Sequence, residues 1–76
     1  MSTRAFMLIE TEAGKAEEVI DALHKFHEVK SAEAVDGLFD VIAVVEEDDR
    51  GSIGKLLADE IRPLDGVSYA VASVII

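Results

Sequence analysis

Val29-Lys30-Ser31-Ala32-Glu33-Ala34-Val35 and Phe39-Asp40-Val41-Ile42-Ala43-Val44-Val45, joined through Asp36-Gly37-Leu38, are the two runs whose reading decides the fold. The first alternates, with Val29, Ser31, Glu33 and Val35 on one face and Lys30, Ala32 and Ala34 on the other. Side chains along a strand have a period of two, so this run reads as a partly exposed strand. The second is rich in β-branched residues and favours an interior place in a sheet. Asp-Gly between two such runs is a strong tight-turn signal, so the pair is predicted to form an antiparallel hairpin. In that turn Gly37 is expected at positive φ, with Asp36 capping it.

Outward from the hairpin the period changes on both sides. Upstream, Ala16, Val19, Ile20, Leu23 and Phe26 recur at helical spacing, which predicts an amphipathic helix over residues 15–26. Downstream, Ile53, Leu56, Leu57 and Ile61 form a second apolar stripe. Asp48 or Asp49 can cap that second helix, and the acidic run Glu46-Glu47-Asp48-Asp49 suits a helix N-terminus. Gly51 and Gly54 weaken its first turn, and Pro63 stops it. Two more apolar runs lie at the ends. Ala5-Phe6-Met7-Leu8-Ile9 reads as a strand, closed by Glu12-Ala13-Gly14. After a turn at Asp65-Gly66, Val67 to Ile76 reads as the last strand. It places Val67, Tyr69, Val71 and Ile75 against Ala70, Ala72, Val74 and Ile76.

The order βαββαβ is the ferredoxin-like split arrangement: an α+β sandwich with a four-stranded antiparallel sheet and two helices on one face. Two helices cover only one side of such a sheet. The first, third and fourth strands are apolar on both sides, so the second side needs cover that this chain has no segment to supply. Another copy of the same sheet is the simplest cover, which predicts a sheet-to-sheet dimer of the dimeric α/β-barrel kind.

Composition points the same way. The 76 residues make one domain, expected to span 1–76 with no helix-turn-helix part. A chain of this size buries only about 60% of its unfolded surface, so its core is marginal. It has no cysteine, which excludes disulfides and thiolate metal sites and fits a reducing cytoplasm. Association is then the expected source of extra stability. The N-terminus lacks the long apolar core of a signal peptide. No apolar stretch approaches the roughly 18 residues of a membrane helix. Sixteen acidic residues against seven basic ones leave a net charge of −9. Duplex binding rests on cations that neutralise phosphates, so the chain is not expected to bind nucleic acid by itself. The same acidity keeps a many-subunit assembly soluble.

Few constellations carry chemistry. His24 and His27 are three apart with Glu28 beside them, but they fall where the first helix should end, and a role toward the helix dipole is the plainer reading. Glu46-Glu47-Asp48-Asp49 lacks the spacing of a calcium loop. Gly51-Ser52-Ile53-Gly54-Lys55 lacks the first glycine of a phosphate-binding loop. The serines are scattered, with no nucleophile elbow. No enzyme, metal or cofactor is expected. Asp36-Gly37-Leu38-Phe39-Asp40 is the segment of most interest. Bare backbone N–H groups at Gly37 can take a carboxylate, and Asp40 can meet an ammonium, which together suit an amino acid. The structural alternative is a hairpin turn and nothing more.

The chain resembles the effector-sensing module of the Lrp/AsnC transcriptional regulators, the RAM domain, from about Arg4 to Ile76. The matching stretches are Ala5-Phe6-Met7-Leu8-Ile9, Gly14-Lys15, Glu17-Glu18-Val19, Val29-Lys30, Gly37-Leu38-Phe39-Asp40-Val41-Ile42, Ile61-Arg62 and Gly66-Val67. The glycine–aromatic–aspartate signature of the hairpin is the most specific of them. Where many members carry threonines in the last strand, this chain has Ala70 and Ala72. The resemblance implies dimers paired through their sheets, joined into rings that are often octamers. It also implies an amino acid bound between dimers near Asp36, Gly37, Leu38, Phe39 and Asp40. A module without the helix-turn-helix half would sense without binding DNA and would act on transcription through mixed assemblies with full-length relatives. The rival readings are a small dimeric α/β-barrel enzyme of the monooxygenase kind and a purely structural oligomerisation module. The first wants a cavity lined by aromatics and a polar group, and the chain has only three Phe and one Tyr.

Overall fold

The computed structural model describes residues 2–76. Strand β1 (Thr3–Thr11) is followed by helix α1 (Ala16–Leu23) and strands β2 (Val29–Ala34) and β3 (Val41–Glu47). Helix α2 (Arg50–Leu56) continues into a π-helical turn (Leu57–Ile61), and strand β4 (Val67–Val74) ends the fold. All three strand pairings are antiparallel, in the order β2-β3-β1-β4. The predicted βαββαβ topology is the observed one.

The core lies between the sheet and the helices. Ala5, Met7 and Ile9 of β1 and Val41, Ala43 and Val45 of β3 point into it. Val19 and Leu23 of α1 meet them from above, with Ile53, Leu56, Leu57 and Ile61 of the second helical segment. Both helical stripes are therefore core. α1 is shorter than the predicted 15–26 span. After Leu23 the chain tightens, with Lys25 N–H donating to Ala22 O and Phe26 N–H to Leu23 O, both at 3.1 Å. Phe26 still packs on the core, but from this tight turn. α2 starts at Arg50 because Asp49 caps it: the carboxylate accepts the Ser52 N–H at 2.7 Å. That bond holds the Asp49 carboxyl below the usual carboxylate range.

Two β-bulges move residues across the sheet. Strict alternation places Val29 with Ser31 and Glu33, but the register shifts between Val29 and Ser31. Val29 is therefore buried on the helix side opposite Val45, while Ser31 pairs with Val44 and Glu33 with Ile42 on the other side. In β4 the register shifts where Thr11 pairs with Val67 and Glu10 with Tyr69. Ser68 is the extra residue. Val67 packs against the core, not beside Tyr69 as alternation predicts.

The face away from the helices is apolar at its centre. Ile42, Leu8 and Val71 form one row across β3, β1 and β4, and Val44 and Phe6 form the next. Phe6 is 41% exposed and Tyr69 52%. Arg4, Glu10, Ser31, Glu33, Glu46 and Ser73 share this face by strand parity and surround the apolar rows. Nothing in the described chain covers them.

Candidate functional site

The predicted site segment is a hairpin loop tied to the middle of the sheet. Val35 N–H donates to Asp40 O at 2.9 Å and closes the loop. Asp40 N–H donates to Ile9 O at 2.9 Å, and the Asp40 carboxylate accepts the Thr11 N–H through Oδ2 at 2.8 Å. β3 therefore begins at Val41, two residues after the predicted Phe39. Asp40 is the post on which the loop stands. Its second oxygen, Oδ1, has no hydrogen-bond partner among the described residues.

Beyond that post, Asp36, Gly37, Leu38 and Phe39 form the tip. The first three are exposed, Leu38 at 91%, and Phe39 is half-buried. The tight turn expected at Asp36-Gly37 is replaced by a wider loop. Gly37 is not at positive φ; among the described residues only Gly14 and Gly66 are. Spreading the reversal over four residues removes the need for a left-handed glycine at position 37. A Cβ at Gly37 would meet nothing within 4 Å, so the backbone there is open to the outside. The tip offers bare main chain and the Asp40 post offers a carboxylate oxygen, but one copy does not enclose the space between them.

The other sequence candidates do not converge. His27 Nδ1 lies 3.5 Å from Glu28 Oε1, and no group of three His, Asp or Glu among the described residues could hold a metal ion. In the acidic run Asp49 caps α2, while Glu46 accepts the Ser2 hydroxyl at 2.6 Å. Ala70 and Ala72 pair with Ile9 and Met7 and so face the helices, away from the open face.

Two surface clefts had no sequence signal. One, of ≈ 300 Å³, lies along α2 and is lined by Glu28, Glu47, Ser52, Lys55, Leu56, Asp59 and Glu60. Loss of solvent, and then the charges of Glu28 and Asp48, raise the Glu47 carboxyl above its ordinary value. The other, of ≈ 250 Å³, opens at the outer edge of β4 between Arg62 and residues 67–70. Both depend on long-range packing, which local spacing does not reveal.

The chain is thus a small α+β module: a four-stranded ferredoxin-like sandwich with an open apolar sheet face and an anchored, glycine-containing loop. Residues 4–76 match the model of the Lrp/AsnC ligand binding domain, and the chain belongs to that family. The crystal structure of FFRP-DM1 superposes with a TM-score of 0.91 at 32% identity, covering 97% of this chain and 99% of that one. The hypothetical protein PHS023 from Pyrococcus horikoshii gives 0.89 at 33% identity, covering 100% and 90%. The transcriptional regulator NMB0573 from Neisseria meningitidis, solved as an L-Met complex, shares the fold with a TM-score of 0.86 at 24% identity. The match covers 97% of this chain but 49% of that regulator. No curated protein matches the chain in sequence. No helix among the described residues is long and apolar enough to cross a membrane.

Proposed function

We propose that the chain is a stand-alone, non-catalytic, cytoplasmic sensor of a small amino acid, assembled as sheet-paired dimers that join into an octamer-like ring. The carrying observation is the loop: a bare, exposed tip on an aspartate whose Oδ1 is free, in a chain that matches the ligand-binding family from residue 4 to 76. An amino acid presents a carboxylate and an ammonium at fixed spacing. The tip's main-chain N–H groups suit the first, and Asp40 Oδ1 accepts from the second as a charge-assisted bond. Leu38 and Phe39 supply apolar contact, and a neighbouring dimer closes the cleft that one copy leaves open. The L-Met complex of the Neisseria regulator supports an amino acid as the class of ligand. Relatives covered over 99% and 90% of their own length support a module that works without a DNA-binding half. Signalling to transcription then runs through mixed assemblies with full-length relatives.

The ligand is sought by thermal shift against the twenty amino acids, since a ligand of the native state raises its stability by mass action. Asp40→Asn then tests the site. Its amide oxygen can still accept the Thr11 N–H, so the loop stays anchored and only the charge is lost. Affinity for the identified amino acid should fall by about 1.5–3 kcal/mol in calorimetry, with the melting temperature near that of the parent. Equal affinities would remove Asp40 from the site, and the absence of any ligand would favour a structural module.

Gel shift at low salt, where phosphate attraction is strongest, should show no complex of this chain with duplex DNA at micromolar protein, given its charge of −9. A retarded band would contradict the division of labour between sensor and DNA-binding relative.

A further inference from the structure

Arg62 is a cation with no anion. It sits in a chain of net charge −9, yet among the described residues no carboxylate comes within 4.0 Å of its guanidinium. The ion pair Lys15–Glu18 and the His27–Glu28 contact lie elsewhere. The guanidinium is nonetheless aimed. Nε donates to Ala70 O at 3.2 Å at the outer edge of β4, which leaves both terminal nitrogens without a partner among the described residues.

Two irregularities of the backbone create this position. The π-helical turn closes with Arg62 N–H donating to Leu57 O at 2.9 Å, and it keeps Leu57 and Ile61 in the core while Arg62 reaches β4. Facing it, the bulge at Ser68 turns Val67 inward and opens the strand edge. Bulges and π-turns both concentrate at functional sites. Between them lies the ≈ 250 Å³ cleft, lined by Arg62, Val67, Ser68, Tyr69 and Ala70. Ser68 Oγ is held by donating to Glu10 O at 3.1 Å, and its lone pairs remain free to accept.

We infer that this cleft is a second binding site, separate from the hairpin, for the carboxylate of a small apolar acid. A planar guanidinium fixed through Nε presents its remaining N–H groups as a fork that matches a carboxylate in two parallel bonds. The volume and the Val67 and Tyr69 side chains in the lining suit a short aliphatic body. No acidic side chain of the cleft receives an ammonium, so the site prefers a simple carboxylic acid to an amino acid. The plain alternative is that Arg62 only covers the Ala70 carbonyl at the sheet edge.

Calorimetry on the full chain distinguishes the two, with isobutyrate as probe and isobutyramide as its neutral isostere. Saturable binding of isobutyrate, and none of the amide, is expected. Arg62→Gln should weaken isobutyrate about tenfold or more, and Arg62→Lys, which keeps the charge but not the fork, should fall between. Melting curves of the same variants show whether each is folded. If Arg62→Gln is unfolded, an isobutyrate-induced shift of the Arg62 Nε–H resonance in the parent protein decides instead. No saturable binding, equal binding of the amide, an unmoved resonance, or full binding by folded Arg62→Gln would each overturn the site.

Discussion

Leu8→Asp is expected to give monomers at low micromolar concentration, where the sheet-paired assembly proposed above predicts that the parent chain will sediment as a dimer or larger species. Leu8 sits at the middle of the row Ile42–Leu8–Val71 on the face that the helices leave open. A copy of the same sheet placed there buries that row on both sides. A twofold interface repeats every change, so one substitution introduces two carboxylates into the apolar centre. Each buried, unpaired charge costs about 3–5 kcal/mol, so the dimer constant weakens by about 10⁴-fold or more. Inside a monomer the same side chain points to water, and the core residues Met7 and Ile9 on the opposite side are untouched. An unchanged mass for Leu8→Asp would show that assembly uses another surface. A folded, cooperatively melting monomer of the parent would remove the assembly altogether.

Gly66→Ala should destabilise the chain more than any other glycine-to-alanine change. Gly66 is buried at φ +94, and a Cβ there would stand 3.0 Å from the Lys15 Cβ and 3.1 Å from the Val19 Cγ2. Neither atom is the loose end of a side chain: one is the first carbon of a residue at the start of α1, the other a methyl of the core. The backbone strain and the overlap add, and about 2–4 kcal/mol is expected. For a domain of this size that lowers the melting temperature by about 8–30 °C. Gly14 is the control. It also has positive φ, at 77, but a Cβ there meets nothing within 4 Å. Gly14→Ala should therefore lose only the backbone part, about 1–2 kcal/mol. Equal losses at the two positions would show that the close approach of the β4 turn to α1 is not what fixes Gly66.

Both substitutions act on features with different visibility in the sequence. The open apolar face was legible, because alternation in β1 and β3 runs without interruption and puts Phe6, Leu8, Ile42 and Val44 opposite the core. The helical stripes were legible for the same reason. Alternation failed at Val29 and Val67, where a bulge adds one residue and reverses the sides that follow. Lys30 and Ser68 carry no local mark of that. The hairpin was legible as a hairpin, but Asp36-Gly37 suggested a tight turn with Gly37 at positive φ, where the chain instead forms a wider loop. The hold on the loop comes from Thr11, 29 positions away from Asp40, and no local pattern encodes that partner. Arg62 was hidden likewise, since its meaning depends on a π-turn and on an edge carbonyl that only the folded chain brings together.

The two bulges have a joint geometric effect. One lies on β2 beside the end of β3, near Val45; the other lies on β4 beside the end of β1, near Thr11. These are diagonally opposite corners of the sheet. A bulge sharpens the local right-handed twist, so both corners bend in the same sense and the sheet takes the form of a saddle. A saddle seats another saddle in few rotations, whereas two flat plates slide freely. In the sheet-paired assembly proposed above, that warp would select one docking angle between copies and so set the curvature with which a ring could close.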